Sequence, residues 1–268
     1  MTEVEAVEVA GGQAVVYSAR DPSKEGPNQD AANLLALPDG RVVIAVADGM
    51  GGLAAGERAS AEALDALTET LDSTLDREAA LREGVLDGFE LAHERVVAMP
   101  AVGGTTLVAV VLEGASARPF HVGDSAALIT GQRGRLKLLT PSHSPVGYAV
   151  EAGLLDEDDA FVHESRHLVS NAIGLGAMKI EVGPVVPLTT FDTLVVGSDG
   201  LFDNLRIDEI IAAVRIGPLP SAAARLAADC RRRMTANDAE VPGKLDDLTF
   251  VLFRASRARP ARAAATSG

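Results

Sequence analysis

Hydrophobic positions along the chain first follow a strand-like pattern. Aliphatic residues dominate Asn33–Leu37 and Arg41–Ala47, which flank the turn Pro38-Asp39-Gly40. Arg118–Thr130 and Leu136–Leu139 flank a second turn, which is bounded by glycines. Aliphatic runs joined by tight-turn residues are typical of antiparallel hairpins. We therefore predict two hairpins.

Between Gly56 and Met99 the hydrophobic period becomes helical. Each of two segments places its apolar side chains on one face: Ala59, Ala63, Leu64, Leu67 and Leu71 in the first, and Leu81, Val85, Phe89, Ala92 and Val96 in the second. Two consecutive helices, packed as an antiparallel pair, explain this pattern.

The later chain returns to strands and then alternates. We predict strands at Thr105–Leu112, Thr193–Val196 and Leu248–Arg254, and helices near Ile207–Val214 and Ser221–Met234. The strands come in runs and the helices in pairs. This order favours an α+β fold, in which helices cover antiparallel sheets, and argues against a doubly wound parallel sheet.

The domain organisation follows from the remaining segments. Pro141–Asn171 is acidic and rich in loop residues, which is typical of a flap over a site. Residues 255–268 are rich in Ala and Arg, and we expect a disordered tail there. Residues 1–254 are then one domain.

Composition restricts the partners. The formal net charge is -14, so the surface repels nucleic acid and anionic membranes. No apolar run reaches the roughly 18 to 20 residues needed to cross a bilayer. The acidic N-terminus lacks a secretory signal, so we expect a cytoplasmic protein. Separately, we expect a monomer. The single cysteine, Cys230, lies on an apolar helical stripe and is assigned to the core.

Aspartates recur beside glycine, serine or asparagine at the ends of apolar segments. The motifs are Asn28-Gln29-Asp30, Ala47-Asp48-Gly49-Met50-Gly51-Gly52, Val122-Gly123-Asp124-Ser125, Gly197-Ser198-Asp199-Gly200 and Leu245-Asp246-Asp247-Leu248-Thr249. A single motif of this kind is usually only a turn. The set is more informative, because neighbouring strands of one sheet can bring their ends together and so make these distant carboxylates converge.

Converging carboxylates require neutralisation. Two of them about 4 Å apart repel by roughly 4 kcal/mol at an effective dielectric constant of 20. Cations or protons must offset this repulsion. Oxygen ligands without histidine or cysteine select magnesium, manganese or calcium over zinc.

The ordered series of motifs resembles the metal-dependent protein serine/threonine phosphatase family, the PPM or type-2C phosphatases, in its compact bacterial form. The likeness runs from about Pro27 to Val251 and includes Gly103-Gly104-Thr105-Thr106, Leu139–Ser144 and Ser170–Gly174. It implies an αββα sandwich of two antiparallel sheets flanked by helix pairs, with a metal site at one end of the sheets.

The resemblance also implies roles for individual residues. The implied metal ligands are Asp30, Asp48, Gly49, Asp124, Asp199 and Asp246. Among them Asp48 would bridge two Mn²⁺ or Mg²⁺ ions, Gly49 would offer its carbonyl, and Asp30 would act through water. Asp124 would share a third, weaker ion with Asp199, and Asp203 would lie nearby.

The implied activity is hydrolysis of phosphoserine and phosphothreonine in proteins by a metal-activated water, opposing a bacterial Ser/Thr kinase. Asp48, Asp199 and Asp246 would be its catalytic residues. No Cys/His or Ser/His/Asp nucleophile is evident in the sequence, which agrees with a reaction that needs no covalent intermediate.

Two departures from the family pattern motivate an alternative. Many relatives have a phosphate-binding arginine five residues before the aspartate of the first motif, where this chain has Glu25. Neighbouring Lys24 is the candidate substrate-binding residue, although it could equally be a solvated loop lysine. Met50 stands where some relatives have a histidine. The alternative is a weak or inactive phosphoprotein-binding regulatory module of the same fold.

Other possibilities carry less weight. A calcium-binding structural protein would need a loop of the EF-hand type, which the sequence lacks. His143 has either a direct role or a structural hydrogen bond, and His93, His121, His163 and His167 are interpreted as structural. In the flap, Glu151, Glu157, Asp158 and Asp159 would favour substrates with basic residues near the phosphorylated position.

Overall fold

The computed structural model describes residues 5–9, 11–51, 53–76, 81–101, 103–236 and 243–256. The predicted tail therefore lies outside the described residues, apart from its first two positions.

Thirteen strands and seven helices are found in the described part of the chain. The strands are β1 (Val7–Val9), β2 (Gly12–Ala19), β3 (Asp30–Ala36), β4 (Val42–Met50), β5 (Gly104–Thr105), β6 (Leu107–Glu113), β7 (Ser116–Val122), β8 (Ala126–Thr130), β9 (Leu136–Leu139), β10 (Glu181–Val182), β11 (Val186–Pro187), β12 (Thr193–Gly197) and β13 (Leu248–Ala255). The helices are α1 (Leu53–Asp76), α2 (Leu81–Val97), α3 (Pro145–Glu151), α4 (Glu157–Val162), α5 (Asp199–Phe202), α6 (Ile207–Val214) and α7 (Leu219–Thr235).

The strands form two antiparallel sheets. One sheet has the order β1-β2-β13-β12-β8-β9, and the other has the order β10-β7-β6-β4-β3, with β11 on β7 and β5 on β4. Each sheet is covered by helices on its outer face, and the two inner faces pack together. This is the predicted αββα sandwich.

Alternation along the central strands explains the layering. In β4, Val42, Ile44 and Val46 point into the core between the sheets. Val43, Ala45 and Ala47 of the same strand point into the core under α1 and α2. In β13, Phe250 and Leu252 pack under α6 and α7. Both faces of these strands are apolar because a layer covers each of them.

The predicted helix pairs are confirmed. All the apolar positions predicted for the first two helices are buried. Thr74 of α1 lies against Gly84 of α2, while Thr70 lies against Gly88, so the two helices run antiparallel. Cys230 of α7 is 0% exposed, and burial raises the pKa of its thiol to about 12. Its assignment to the core is confirmed.

One predicted strand is wrong. Arg118–Thr130 is two strands, β7 and β8, which belong to different sheets. The break falls at Gly123, whose φ of 108° is a conformation that favours glycine. The chain crosses there from one sheet to the other. The hairpin β8–β9 is present as predicted.

The segment predicted to be a flap contains α3 and α4 and lies beside the ends of the sheets. Side-chain caps begin both helices: Ser144 accepts from the backbone N–H of Gly147, and Asp156 from that of Asp159.

No helix among the described residues combines the length and the apolar character needed to cross a membrane.

Candidate metal centre

The first two acidic residues of the site come from one hairpin. Asp30 is the first residue of β3, and its partner across the antiparallel ladder is Asp48 of β4. Directly paired residues project to the same face, with Cβ atoms about 4.5 to 5.5 Å apart. The register therefore places the two carboxylates together.

The other sheet supplies two further carboxylates. Asp199 begins α5, immediately after β12, and Asp246 lies just before β13, which pairs with β12. Ser198 Oγ donates a 2.7 Å hydrogen bond to Asp30 Oδ2 and so connects the sheets at this point. Aspartates that lie far apart in the sequence thus converge, but they come from two sheets and not from neighbouring strands of one sheet as expected.

Asp124 and Asp203 extend the acidic cluster on one side. Asp124 lies in the crossover between β7 and β8, and Asp203 follows α5. Burial, then Asp199, raises the pKa of Asp203 to about 7, although Lys244 opposes the shift. Burial, then Asp199 and Asp203, also raises the pKa of Asp124 well above its usual value.

The pKa values of the paired residues Asp30 and Asp48 are also raised. Burial raises the pKa of Asp30 well above its ordinary value, against a lowering contribution from the Ser198 hydrogen bond. Burial and then the charge of Asp30 raise the pKa of Asp48 in the same direction. Carboxylates in these surroundings favour protons or cations as partners.

The residues present fit hard divalent cations. Oδ1 of Asp30 and Oδ1 of Asp199 are buried and make no hydrogen bond to the described protein. Buried polar atoms normally have a partner, and the possible metal ligands of this cluster are all oxygens, although the Lys244 ammonium already contacts Oδ2 of Asp199. Mg²⁺ or Mn²⁺ would satisfy both atoms.

Gly49 is packed closely against Gly56 and Gln29. Its N–H donates to the carbonyl of Gln29 at 3.1 Å. A Cβ at this position would lie 2.1 Å from the Gly56 carbonyl oxygen, so α1 packs too closely here for any side chain. The predicted carbonyl ligand therefore lies in a backbone position that requires glycine.

Lys24, the predicted substrate-binding residue, lies beside the acidic cluster. Its Nζ lies 3.7 Å from Asp246 Oδ1 and 3.8 Å from Asp21 Oδ2. Burial lowers the pKa of Lys24, but Asp246, Asp247 and Asp21 outweigh this, and the net shift is upward. The ammonium group therefore lies at the edge of the cluster and is not a remote loop charge.

Three functional neighbours were missed by the sequence reasoning. Asp247 is 2% exposed and accepts from the backbone N–H groups of Asp21 and Gln29, each at 2.7 Å. It therefore fixes the segment that carries Lys24 and Asp30. The tandem Asp246-Asp247 was a visible signal for this role. Ser198 and Lys244 were also missed, and nothing in the local sequence distinguished Lys244.

His143 forms a compact group with His121 and Glu181, whose candidate ligand atoms lie within 4.8 Å of one another. The backbone N–H of Gly123 donates to His143 Nδ1, so Nε2 carries the proton and donates to Glu181 at 3.2 Å. His121 Nε2 contacts the Pro141 carbonyl at 2.8 Å. Because His143 Nε2 has no free lone pair, this arrangement favours a structural hydrogen-bond network over a metal site.

A cavity of about 380 Å³ adjoins the cluster under α3 and α4. Asp124, Asp199 and Asp203 form its acidic side, and flap residues such as Val146 and Phe161 form its apolar side. The flap is tied to the body where Arg206 pairs with Asp158 at 2.6 Å and lies over the Phe161 ring. The acidic flap residues predicted from sequence are all exposed.

Comparisons with known proteins agree with this geometry. Residues 21–236 match the family model described as protein phosphatase 2C. The serine/threonine phosphatase stp of Listeria monocytogenes is 32% identical over 200 residues, which cover 70% of this chain and 79% of the relative.

Solved structures have the same fold. The PPM Ser-Thr phosphatase MsPP from Mycobacterium smegmatis, in complex with cacodylate, is 30% identical, with a TM-score of 0.72 and coverage of 91% of this chain and 98% of that one. The catalytic domain of PstP, in complex with two manganese ions, is 25% identical, with a TM-score of 0.70 and coverage of 91% and 97%. With the converging aspartates and the αββα sandwich, these matches establish that the chain belongs to the protein phosphatase 2C family of serine/threonine phosphatases.

Proposed function

We propose that this protein hydrolyses phosphoserine and phosphothreonine in other proteins at the centre formed by Asp48, Asp199 and Asp246. The observation that carries the proposal is the convergence of Asp30 and Asp48 from one sheet with Asp199 and Asp246 from the other. The buried Oδ1 atoms of Asp30 and Asp199, for which the described residues provide no hydrogen-bond partner, support an additional, cationic partner.

Asp48, Asp199, Asp246 and the carbonyl of Gly49 would hold two Mn²⁺ or Mg²⁺ ions, while Asp30 would support them from the adjacent strand. Asp124 and Asp199 would share a third. When bound, such ions supply Lewis acidity, lower the pKa of water and offset the charge of the phosphoryl group. The PstP structure with two manganese ions supports this choice of metal.

The chain's own residues would orient the substrate. Lys24 provides a positive charge beside Asp246, on the side where Glu25 replaces the expected arginine. An ammonium acts as a point charge and lacks the bidentate geometry of a guanidinium. The phosphate would therefore be attracted to the centre but less strictly oriented by this contact.

The flap would influence substrate choice. Glu151 and Glu157 line the cavity beside the centre, and Asp158 and Asp159 add to the exposed acidic surface. Such a surface favours basic residues near the phosphorylated position. A phosphopeptide library would show enrichment of Lys and Arg in these positions, whereas enrichment of Asp and Glu would contradict this part of the proposal.

The main test is hydrolysis of a phosphothreonine peptide with Mn²⁺. Wild type should release phosphate, and Asp48→Asn and Asp199→Asn should lose nearly all of this activity. Asp65→Asn, which changes an exposed carboxylate of α1, is the matched control and should retain it. Equal activity of wild type and both centre variants would reject the proposal.

The regulatory-module alternative is not favoured, because the curated relatives are named phosphatases and every aspartate implied as a metal ligand is present. We further propose that the protein acts as a cytoplasmic monomer and opposes a Ser/Thr kinase. The serine/threonine phosphatase names of the relatives support the kinase relationship. Light scattering would test the monomer, and dephosphorylation of a kinase from the same cell would test the pairing.

A further inference from the structure

Lys244 places an ammonium group inside the acidic cluster. Its Nζ lies 3.0 Å from Asp203 Oδ2 and 3.1 Å from Asp246 Oδ2, and it also contacts Asp199 Oδ2. Two of these three carboxylates belong to the proposed metal centre. The Lys244 ammonium group therefore lies where a divalent cation would also bind, and it neutralises the same carboxylates.

The backbone around Lys244 is built to hold this position. Asn204 is 0% exposed, and its side chain clamps the residue from both sides. Its Oδ1 accepts from the Lys244 N–H at 2.9 Å, and its Nδ2 donates to the Lys244 carbonyl at 2.9 Å. Gly243 packs so closely that a Cβ would lie 1.9 Å from the Arg233 carbonyl oxygen. These contacts fix the path of the backbone that carries Lys244 to the acidic cluster.

Lys24 offers a useful contrast at the same carboxylate. It approaches Asp246 Oδ1 at 3.7 Å with a side chain that is 33% exposed, while the side chain of Lys244 is 21% exposed and contacts three acids. Lys24 lies at the rim, whereas Lys244 lies among the acidic groups. Oδ1 of Asp199 has no hydrogen-bond partner in the described part of the chain, whereas its Oδ2 is already in contact with Lys244.

We propose that Lys244 is an internal cation that competes with a divalent ion for Asp199 and Asp246. This inference rests on the proposed function, because it takes these two aspartates as metal ligands. An ion that coordinates either Oδ2 must displace the ammonium, and an ion bound nearby through Oδ1 is repelled by it. Lys244 thereby holds the metal-free acidic cluster together and weakens the binding of at least one ion.

Metal titration gives the first test. Mn²⁺ binding to the full chain would be measured by calorimetry for wild type, Lys244→Met and the control Lys179→Met, which changes an exposed lysine. Removing a unit charge within a few ångströms of the ion should tighten binding about tenfold or more. Lys179→Met should bind Mn²⁺ like wild type. A Lys244→Met affinity within twofold of wild type would overturn the proposal.

Lysine labelling tests displacement directly in the wild-type protein. The chain contains only four lysines, so reductive methylation can be followed at each by mass spectrometry. Saturating Mg²⁺ should increase the labelling rate of Lys244 several-fold and leave that of Lys179 unchanged. Unchanged labelling of Lys244 while Mg²⁺ is bound would also overturn the proposal. Lys244→Gln replaces Lys244→Met if the latter fails to fold, and labelling alone decides if both fail.

The two proposals fail differently. If both tests give the expected results but the wild type with Mn²⁺ releases no phosphate from the phosphothreonine peptide, the proposed function fails and Lys244 remains a competitor. If phosphate is released but Lys244 neither weakens metal binding nor moves, this inference alone is wrong.

Discussion

Ser198 Oγ donates a hydrogen bond of 2.7 Å to Asp30 Oδ2, and this contact joins the two sheets at the metal centre. Ser198 lies between β12 and α5, while Asp30 begins β3 in the other sheet. The Ser198 hydroxyl also accepts from the Thr249 N–H at 3.2 Å, so its position is fixed by β13. The orientation of Asp30 therefore depends on a residue of the opposite sheet.

Ser198→Ala should destabilise the metal-free protein. Oδ2 of Asp30 would lose the hydrogen bond from Ser198, its one partner among the described residues, and an unsatisfied buried polar group costs about 1 to 3 kcal/mol. Chemical denaturation in EDTA would measure the free energy of unfolding. Ser116→Ala is the control, since Ser116 donates to the Glu113 carbonyl at an exposed position. Equal effects of the two substitutions would contradict the role given to Ser198.

Gly49→Ala should disrupt the centre through sterics alone. The added Cβ would lie 2.1 Å from the Gly56 carbonyl oxygen and 2.7 Å from that of Gln29, so the β4 terminus or α1 must move. Overpacking of this kind costs about 1 to 3 kcal/mol, and the displaced carbonyl should also weaken Mn²⁺ binding.

Gly131→Ala is the matched control for this steric effect. Its added Cβ would meet nothing closer than 3.6 Å, which is ordinary contact. Thermal unfolding and Mn²⁺ calorimetry should show little change for Gly131→Ala and a clear loss for Gly49→Ala. A Gly49→Ala protein that binds Mn²⁺ like wild type would contradict the proposed use of this backbone position.

Much of this site was predictable because its aspartates stand at strand ends with small neighbours. Asp48 and Asp199 both follow apolar runs that we interpreted as strands, and we expected them to meet at the ends of neighbouring strands of one sheet. Their convergence is found, but β4 and β12 belong to different sheets. The buried faces of the first two helices were equally predictable, since Leu67 and Phe89 belong to apolar stripes with a period of 3.6 residues.

Features that depend on tertiary contacts were not predictable. Arg118–Thr130 was interpreted as one strand because its apolar character resumes after Ser125, although the motif Val122-Gly123-Asp124-Ser125 already indicated a strand end. That the chain changes sheets there follows only from the strand pairing. Lys244 contacts Asp199 and Asp203 from 45 and 41 residues away, and a lone lysine in a loop gives no periodic signal. His121 and His143 stack with ring centroids 4.4 Å apart, although no spacing in the sequence pairs them.

Lys24→Met should raise the KM for a phosphopeptide more than it changes kcat, because the lost charge attracts the phosphate to the rim of the centre. We expect an effect of about tenfold, typical of a single exposed charge contact of about 1 kcal/mol or slightly more. Lys24→Arg should keep KM near or below that of wild type, and Lys179→Met should not change it. An unchanged KM for Lys24→Met would identify Lys24 as a solvated loop residue.

His121 should make the fold sensitive to acid. It is 1% exposed, and burial followed by the charge of His143 lowers its pKa to about 4. The folded chain thus keeps it neutral where the unfolded chain, with an ordinary pKa near 6.5, binds a proton. This contribution to stability is present above about pH 6.5 and is lost as the pH falls towards 4.

His121→Asn would test the acid effect. In EDTA, the free energy of unfolding of His121→Asn should fall less steeply than that of wild type between pH 6.5 and 4. The two slopes should differ by at most about 1.4 kcal/mol per pH unit. His167→Asn, which changes an exposed histidine, should keep the wild-type slope. Equal pH slopes of the unfolding free energy for His121→Asn and wild type would show that His121 has the same pKa in the folded and unfolded chain, which would contradict the prediction.

The most direct measurement for the whole account is an anomalous diffraction experiment on crystals grown with Mn²⁺. Manganese peaks are expected among Asp48, Asp199 and Asp246, with the Lys244 ammonium group moved away from Asp199. Well-diffracting crystals with no manganese among these aspartates, or with manganese only at His121, His143 and Glu181, would contradict it.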